Sequence, residues 1–95
     1  MKKGTFVVVT TDHNRRGVFG GTLEENSNGR VVLTNARNCI HWSAETRGVL
    51  GLAAKGPQPG SRIGPAVPRL EVDGVTAVME ATKDARRLWE AEPWS

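Results

Sequence analysis

The dipeptide Asn28-Gly29 lies between two stretches rich in β-forming residues, 16–24 (RGVFGGTLE) and 30–34 (RVVLT). Asn-Gly adopts the positive φ angles that a tight turn between right-twisted antiparallel strands requires, so residues 26–29 read as a hairpin turn. Residues 5–11 (TFVVVTT) are dense in β-branched side chains and form the clearest strand of the chain. Asp12, His13 and Asn14 then make a turn, because short Asp and Asn side chains bond their own backbone. Two successive hairpins commit the start of the chain to an antiparallel sheet. Gly17, Gly20 and Gly21 fall inside the second strand, where glycine marks a bulge, a bend or a close approach by another backbone or a ligand.

Residues 35–57 (NARNCIHWSAETRGVLGLAAKGP) concentrate the unusual chemistry. A turn at 35–37 leads into a fourth strand, 38–42, with Cys39 and His41 on one face and Ile40 and Trp42 on the other. Ser43 is placed to cap a helix, and Glu45 in its first turn suits the helix dipole. That helix is expected to run to about Ala54 and to present Thr46, Val49, Leu50 and Ala53 on one face. Gly48 and Gly51 inside it cost about 1 kcal/mol each against alanine, which implies close packing on the sheet or on a neighbouring subunit. Gly56 and Pro57 end it.

Residues 56–68 (GPQPGSRIGPAVP) carry four of the five prolines and read as a loop with a short edge strand at 61–63. A connection this long is functional or part of an interface. Residues 69–72 and 75–80 flank Asp73-Gly74 as a last hairpin. Thr82 caps a final helix with Ala85, Leu88 and Trp89 on one face, and Pro93 ends it. The expected fold is one α+β domain, mainly β. It is a small bent antiparallel sheet or partly open barrel of five to six strands with two short helices.

Ninety-five residues that are 38% hydrophobic, with three tryptophans, two phenylalanines and no tyrosine, supply a thin core. A subunit interface adds buried apolar area, so a homo-oligomer is expected, with Trp94 as an intersubunit residue. The lone Cys39 allows no intrachain disulfide and fits a reducing compartment. The apolar run at 6–9 is too short for a signal peptide or a membrane span, so the reading is a cytoplasmic protein without a membrane partner. Charge is unevenly placed: residues 1–62 hold nine Lys/Arg against four Asp/Glu, and 63–95 hold four against six. The arginines of the basic part suit a phosphate-bearing partner, and an ordinary solvated surface accounts for them equally well.

Several groupings bear on function. Arg15-Arg16-Gly17 with Gly20-Gly21 lets amides and guanidinium groups approach a phosphate, although a bulged strand beside a basic turn explains the glycines more simply. Asn35, Arg37, Asn38, Trp42 and Arg47 have the chemistry of a nucleotide pocket: tryptophan stacks a base, asparagine reads its edge and arginine neutralises phosphate. The competing reading is a core tryptophan at a strand end among turn asparagines. His41, Cys39 and His13 are zinc-ligand types, but three ligands at that spacing match no standard site, so no metal is expected. Ser43 beside His41 lacks an orienting acid, and no carboxylate pair stands out. Neither an enzyme nor a cofactor is expected.

The segments RGVFGGTL, NARNCIHWSAETRGVLGLAAKGP, SRIGPAVP, VTAVMEAT and WEAEPWS, spanning residues 16–95, resemble a family of short, uncharacterised proteins encoded by bacteriophages and prophages. The resemblance implies a viral origin and marks Arg16, Gly17, Asn35, Arg37, Trp42, Ser43, Arg47, Gly48, Arg62 and Pro65 as candidate surface positions. By analogy with small phage proteins, it points to a factor acting in the host cytoplasm against antiviral defence. The leading expectation is a non-enzymatic, oligomeric sponge for a small nucleotide-type signal. In it Arg16, Arg37, Arg47 and Arg62 contact phosphates, Trp42 or His41 stacks, and Asn35 or Asn38 reads base edges. The alternatives are a protein-interaction module acting through the tryptophan-bearing C-terminus, or a sequence-nonspecific nucleic-acid binder.

Overall fold

The computed structural model describes residues 1–12 and 17–91. The expectations placed on His13, on Arg15 and Arg16, and on Pro93 and Trp94 lie outside the described residues. In chain order the elements are β1 (Phe6–Thr11), β2 (Val18–Ser27), β3 (Arg30–His41), a 3-10 turn (Ala44–Thr46), α1 (Gly48–Ala54), β4 (Arg62–Ile63), β5 (Val67–Val72), β6 (Val75–Glu80) and α2 (Lys83–Ala91). All strand pairs are antiparallel. The sheet runs β4-β3-β2-β1-β6, and β5 lies beside β4 on the same edge of β3. It is an open six-stranded sheet with two helices, as the sequence predicts.

Asn28 (φ 51°) and Gly29 (φ 76°) form the expected turn with positive φ at both positions, closing Ser27 opposite Arg30. Strong bending follows from the topology. β5 and β6 lie on opposite edges of the sheet, yet only Asp73 and Gly74 join them. The expected last hairpin is therefore absent: the two strands take their hydrogen bonds from β3 and β1 rather than from each other. Asp73-Gly74 is a bend and not a reversal, since β5 and β6 are each antiparallel to one of two strands, β3 and β1, that run in the same sense. The bonding partners are set by the curl of the sheet, which local sequence does not encode.

Bending divides the apolar side chains into two layers. Val7, Val9, Leu23, Val31, Leu33 and Ala36 pack on the concave side, with Phe19, Leu70, Val75 and Val78 half-buried at its margin. Phe6, Val8, Cys39 and Ile63 pack on the other side beneath Leu52 and Ala53 of α1 and Trp89 of α2. Trp89 is fully buried and donates its indole N–H to the Leu52 carbonyl at 2.9 Å, which ties the helices together. Gly20 has room only for hydrogen, since a Cβ there would stand 2.7 Å from the Trp89 ring. Packing accounts for that strand glycine without a ligand. The Thr82 hydroxyl caps α2 by accepting the Ala85 N–H at 3.0 Å.

Two further expectations change. Residues 35–37 are no turn: β3 is continuous from Arg30 to His41, and Asn35 (φ 50°) is an extra residue in it. The register moves from Thr22 opposite Thr34 to Gly20 opposite Arg37, which is a β-bulge. The single helix over 43–54 is also broken. Arg47 (φ 70°) and Gly48 (φ 79°) sit in the left-handed region between the 3-10 turn and α1. Thr46 and Ala53 are buried as expected, but Leu52 is buried in place of Leu50, which is 72% exposed.

Candidate functional site

The bulge at Asn35 sets the site. Beyond it Ala36 faces the concave layer, Arg37 turns beneath the end of α2, and Asn38 emerges opposite Phe19 of β2. Val67 of β5 lies opposite Ala36. These residues, with Pro65 and Leu70, line a groove of about 170 Å³ at the open margin of the concave core. Its walls are mainly apolar: the Phe19 ring, Pro65, Leu70 and Val67, which is 41% exposed. Such a volume takes one ring system, not a whole nucleotide, since drug-sized ligands occupy roughly 300 Å³ or more.

Arg37 is the least expected feature. Only 9% exposed, it donates from Nε to the Gly64 carbonyl at 2.7 Å and from Nη1 to the Trp89 carbonyl at 2.8 Å. It holds the β4–β5 connection and the end of α2 against β3, and it borders the groove with its charge fixed in place. That corrects its expected role as an exposed phosphate contact. Arginine suits such a position because its forked, planar donors reach two carbonyls at once. Asn38 is exposed at the groove, and its backbone carbonyl accepts the Gly64 N–H at 2.8 Å.

The other candidates are dispersed. Asn35 is exposed at the bulge, and Arg47 is exposed at the joint before α1. His41 and Arg62 are both exposed and stand opposite each other where β3 meets β4. Trp42 is half-buried against the helix-covered core, which fits a packing role better than an open stacking platform. None of these five residues lines the groove. Of the residues that line the groove, sequence reasoning singled out Arg37, Asn38 and Pro65 and missed Phe19, Ala36, Val67 and Leu70.

Ser43 caps nothing through its side chain. It joins a hydroxyl cluster around the fully buried Thr46, whose Oγ1 lies 3.3 Å from both Ser43 Oγ and Ser61 Oγ. Thr46 Oγ1 also accepts the Gln58 N–H at 3.1 Å. This cluster pins the 3-10 turn to the Gly–Pro loop. The Cys39 thiol is buried, and desolvation pushes its pKa up to about 11, partly opposed by a hydrogen bond from the His41 backbone. A thiol held protonated is a poor nucleophile.

A second, wider hollow of about 400 Å³ is bordered by Lys83, Arg86, Arg87, Glu90 and Ala91. All of these belong to α2, so among the described residues the hollow has no opposing wall. Its arginines pair along the helix, Arg86 with Glu90 at 3.3 Å and Arg87 with Asp84 at 3.1 Å. Among the described residues no group of three or more His, Cys, Asp or Glu is assembled. No helix among them is long and apolar enough to cross a membrane.

The chain belongs to the family described as Domain of unknown function (DUF6948), whose model matches residues 4–89. No curated protein and no solved structure matches it.

Proposed function

We propose that the protein is a non-enzymatic binding protein that holds the ring of a small nucleotide-type ligand in the groove beside Asn38. The observation that carries this reading is the groove itself, where an apolar slot of about 170 Å³ is bordered by one exposed amide and one fixed guanidinium. A flat ring packs against Phe19 and Pro65, the Asn38 amide offers both a donor and an acceptor to its edge, and the charge of Arg37 favours an anion. Sugar and phosphate remain outside the slot. The likeness of residues 16–95 to short phage and prophage proteins supports a setting in which such capture lowers a host antiviral signal.

A thermal-shift panel of cyclic mono-, di- and trinucleotides, ADP-ribose derivatives and short DNA tests this. A ligand at about one hundred times its Kd adds about 2.7 kcal/mol, which raises the melting temperature of a domain this size by about 10 °C or more. The shift is expected to disappear in Asn38→Ala and Val67→Glu while both variants stay folded. A flat panel on folded protein removes the reading. A response to DNA alone, lost steeply as salt rises, replaces it with nonspecific nucleic-acid binding.

A further inference from the structure

A strip of surface leads from the groove to Arg62 along one face of the sheet. Gly64, which follows β4, donates its N–H to the Asn38 carbonyl at 2.8 Å and so continues the β3–β4 ladder. A Cβ built at Gly64 would stand 3.9 Å from the Asn38 Cβ and 3.8 Å from Ile40 Cδ1, both ordinary contacts. Asn38 and Ile40 therefore project on the side to which Gly64 presents no side chain. Ile63, paired with Cys39, is buried in the helix-covered core. Alternation along a strand then turns Arg62 to the same side as Gly64. Arg62 is exposed there, two residues or about 6.7 Å of strand from Gly64. On its other side Gly64 adjoins Pro65, a wall of the groove.

The chemistry of this strip is that of the parts of a nucleotide beyond its base. Ile40 is 50% exposed beside Asn38, an apolar surface for the C–H face of a sugar. The absent side chain at Gly64 leaves the sugar room. Residues 35–41 and 56–68, which build this end of the sheet, contain Arg37, His41 and Arg62 but no Asp or Glu, so the local field favours an anion. Arg37 contributes to that field from a fixed place, with Nε and Nη1 directed at the Gly64 and Trp89 carbonyls. Arg69, on β5, is ion-paired to Glu71 and Glu24, which offsets its charge.

We propose that Arg62 is the phosphate-binding residue of the ligand whose ring the groove holds, an inference that rests on the ring-binding reading above. With the ring edge at Asn38, the sugar crosses Gly64 against Ile40, and the phosphate meets the Arg62 guanidinium. The planar fork of an arginine suits two oxygens of one phosphate. This narrows the ligand class to a nucleotide with a phosphate on its sugar, in preference to a free base or a nucleoside. It also gives the phosphate a single side-chain partner among the arginines at this end of the sheet.

The test titrates the full chain, followed by NMR, with each common ribonucleoside and its 5′-monophosphate as a pair. For the pair that binds, both members are expected to shift the amide signals of Phe19 and Val67, and only the monophosphate to shift the Arg62 side-chain Nε–H. The monophosphate is expected to bind about two- to fivefold tighter at low ionic strength, the range of an exposed charge pair, and the gap is expected to narrow as salt rises. Arg62→Gln is expected to abolish the gap, and Arg69→Gln to leave it intact. Equal affinity of nucleoside and monophosphate, a gap that survives Arg62→Gln, or one that disappears in Arg69→Gln overturns this proposal while ring binding stands. If no pair shifts Phe19 and Val67, the ring-binding reading fails and this proposal falls with it.

Discussion

Replacing Arg37 separates a structural guanidinium from a ligand-binding one. Arg37 supplies donors to two backbone carbonyls, those of Gly64 and Trp89, at a position that is 9% exposed. Removing a donor from a buried acceptor leaves that acceptor desolvated and unpaired, at roughly 1–3 kcal/mol each. For two carbonyls, with some relief by entering water, Arg37→Met is expected to destabilise the fold by about 3–5 kcal/mol. A domain of this length has roughly 5–14 kcal/mol in total, so the variant remains folded only narrowly. Arg37→Lys keeps a charge and can serve one carbonyl, so it falls between the two. The assay is guanidinium chloride unfolding followed by tryptophan fluorescence, with the buried Trp89 as reporter. If Arg37→Met unfolds within about 0.5 kcal/mol of the wild type, a range typical of surface substitutions, the structural assignment fails. Loss of a ligand-induced shift at unchanged stability would instead make Arg37 a ligand group.

Helix propensity alone has Gly51→Ala stabilise α1 by about 1 kcal/mol. A Cβ at Gly51, however, would stand 1.6 Å from the Thr46 carbonyl oxygen, so the expected outcome in the same unfolding assay is a loss of several kcal/mol. Gly48→Ala meets no atom within 4 Å and is limited to the left-handed penalty of about 1–2 kcal/mol. Cys39 imposes an alkaline limit: its folded thiol titrates near 11, against an ordinary 9.0. Stability from this group is complete below about pH 9 and is lost as pH rises to 11, by at most about 2–3 kcal/mol, and Cys39→Ala should flatten that slope in urea titrations at stepped pH. Asn35→Gly should be close to neutral, whereas Asn35→Val should lose about 1–2 kcal/mol because a β-branched residue resists φ 50°.

Local signals with one physical meaning were legible in the sequence. Asn28-Gly29 demands a tight reversal, Thr82 precedes a run that needs a cap, and residues 61–63 contain the short β4. What was not legible depends on distant contacts or on exceptions to residue habit. Arginine rarely adopts φ 70°, so nothing in the sequence marked Arg47 as the joint that splits the expected helix. Arginine is also usually exposed, and only the approach of Gly64 and Trp89 shows why Arg37 is buried. The groove draws residues from β2, β3 and β5 and from the connection before β5, which no window of sequence brings together.

Asn35 connects these observations. Along β3, Val31 and Leu33 face the concave layer, and strict alternation would send residues 37 and 39 to the same side. One inserted residue reverses that parity. Ala36 then lies in the concave layer with Asn38 at its margin, while Cys39 joins the helix-covered core and Arg37 reaches the end of α2. Pro68, which has no N–H to donate, stands in the β5 ladder between the pairs Thr34–Arg69 and Ala36–Val67, level with the bulge. Both strands are thus adapted to a break in the same rung. The residue that interrupts the sheet also decides which side chains hold the helices and which border the groove.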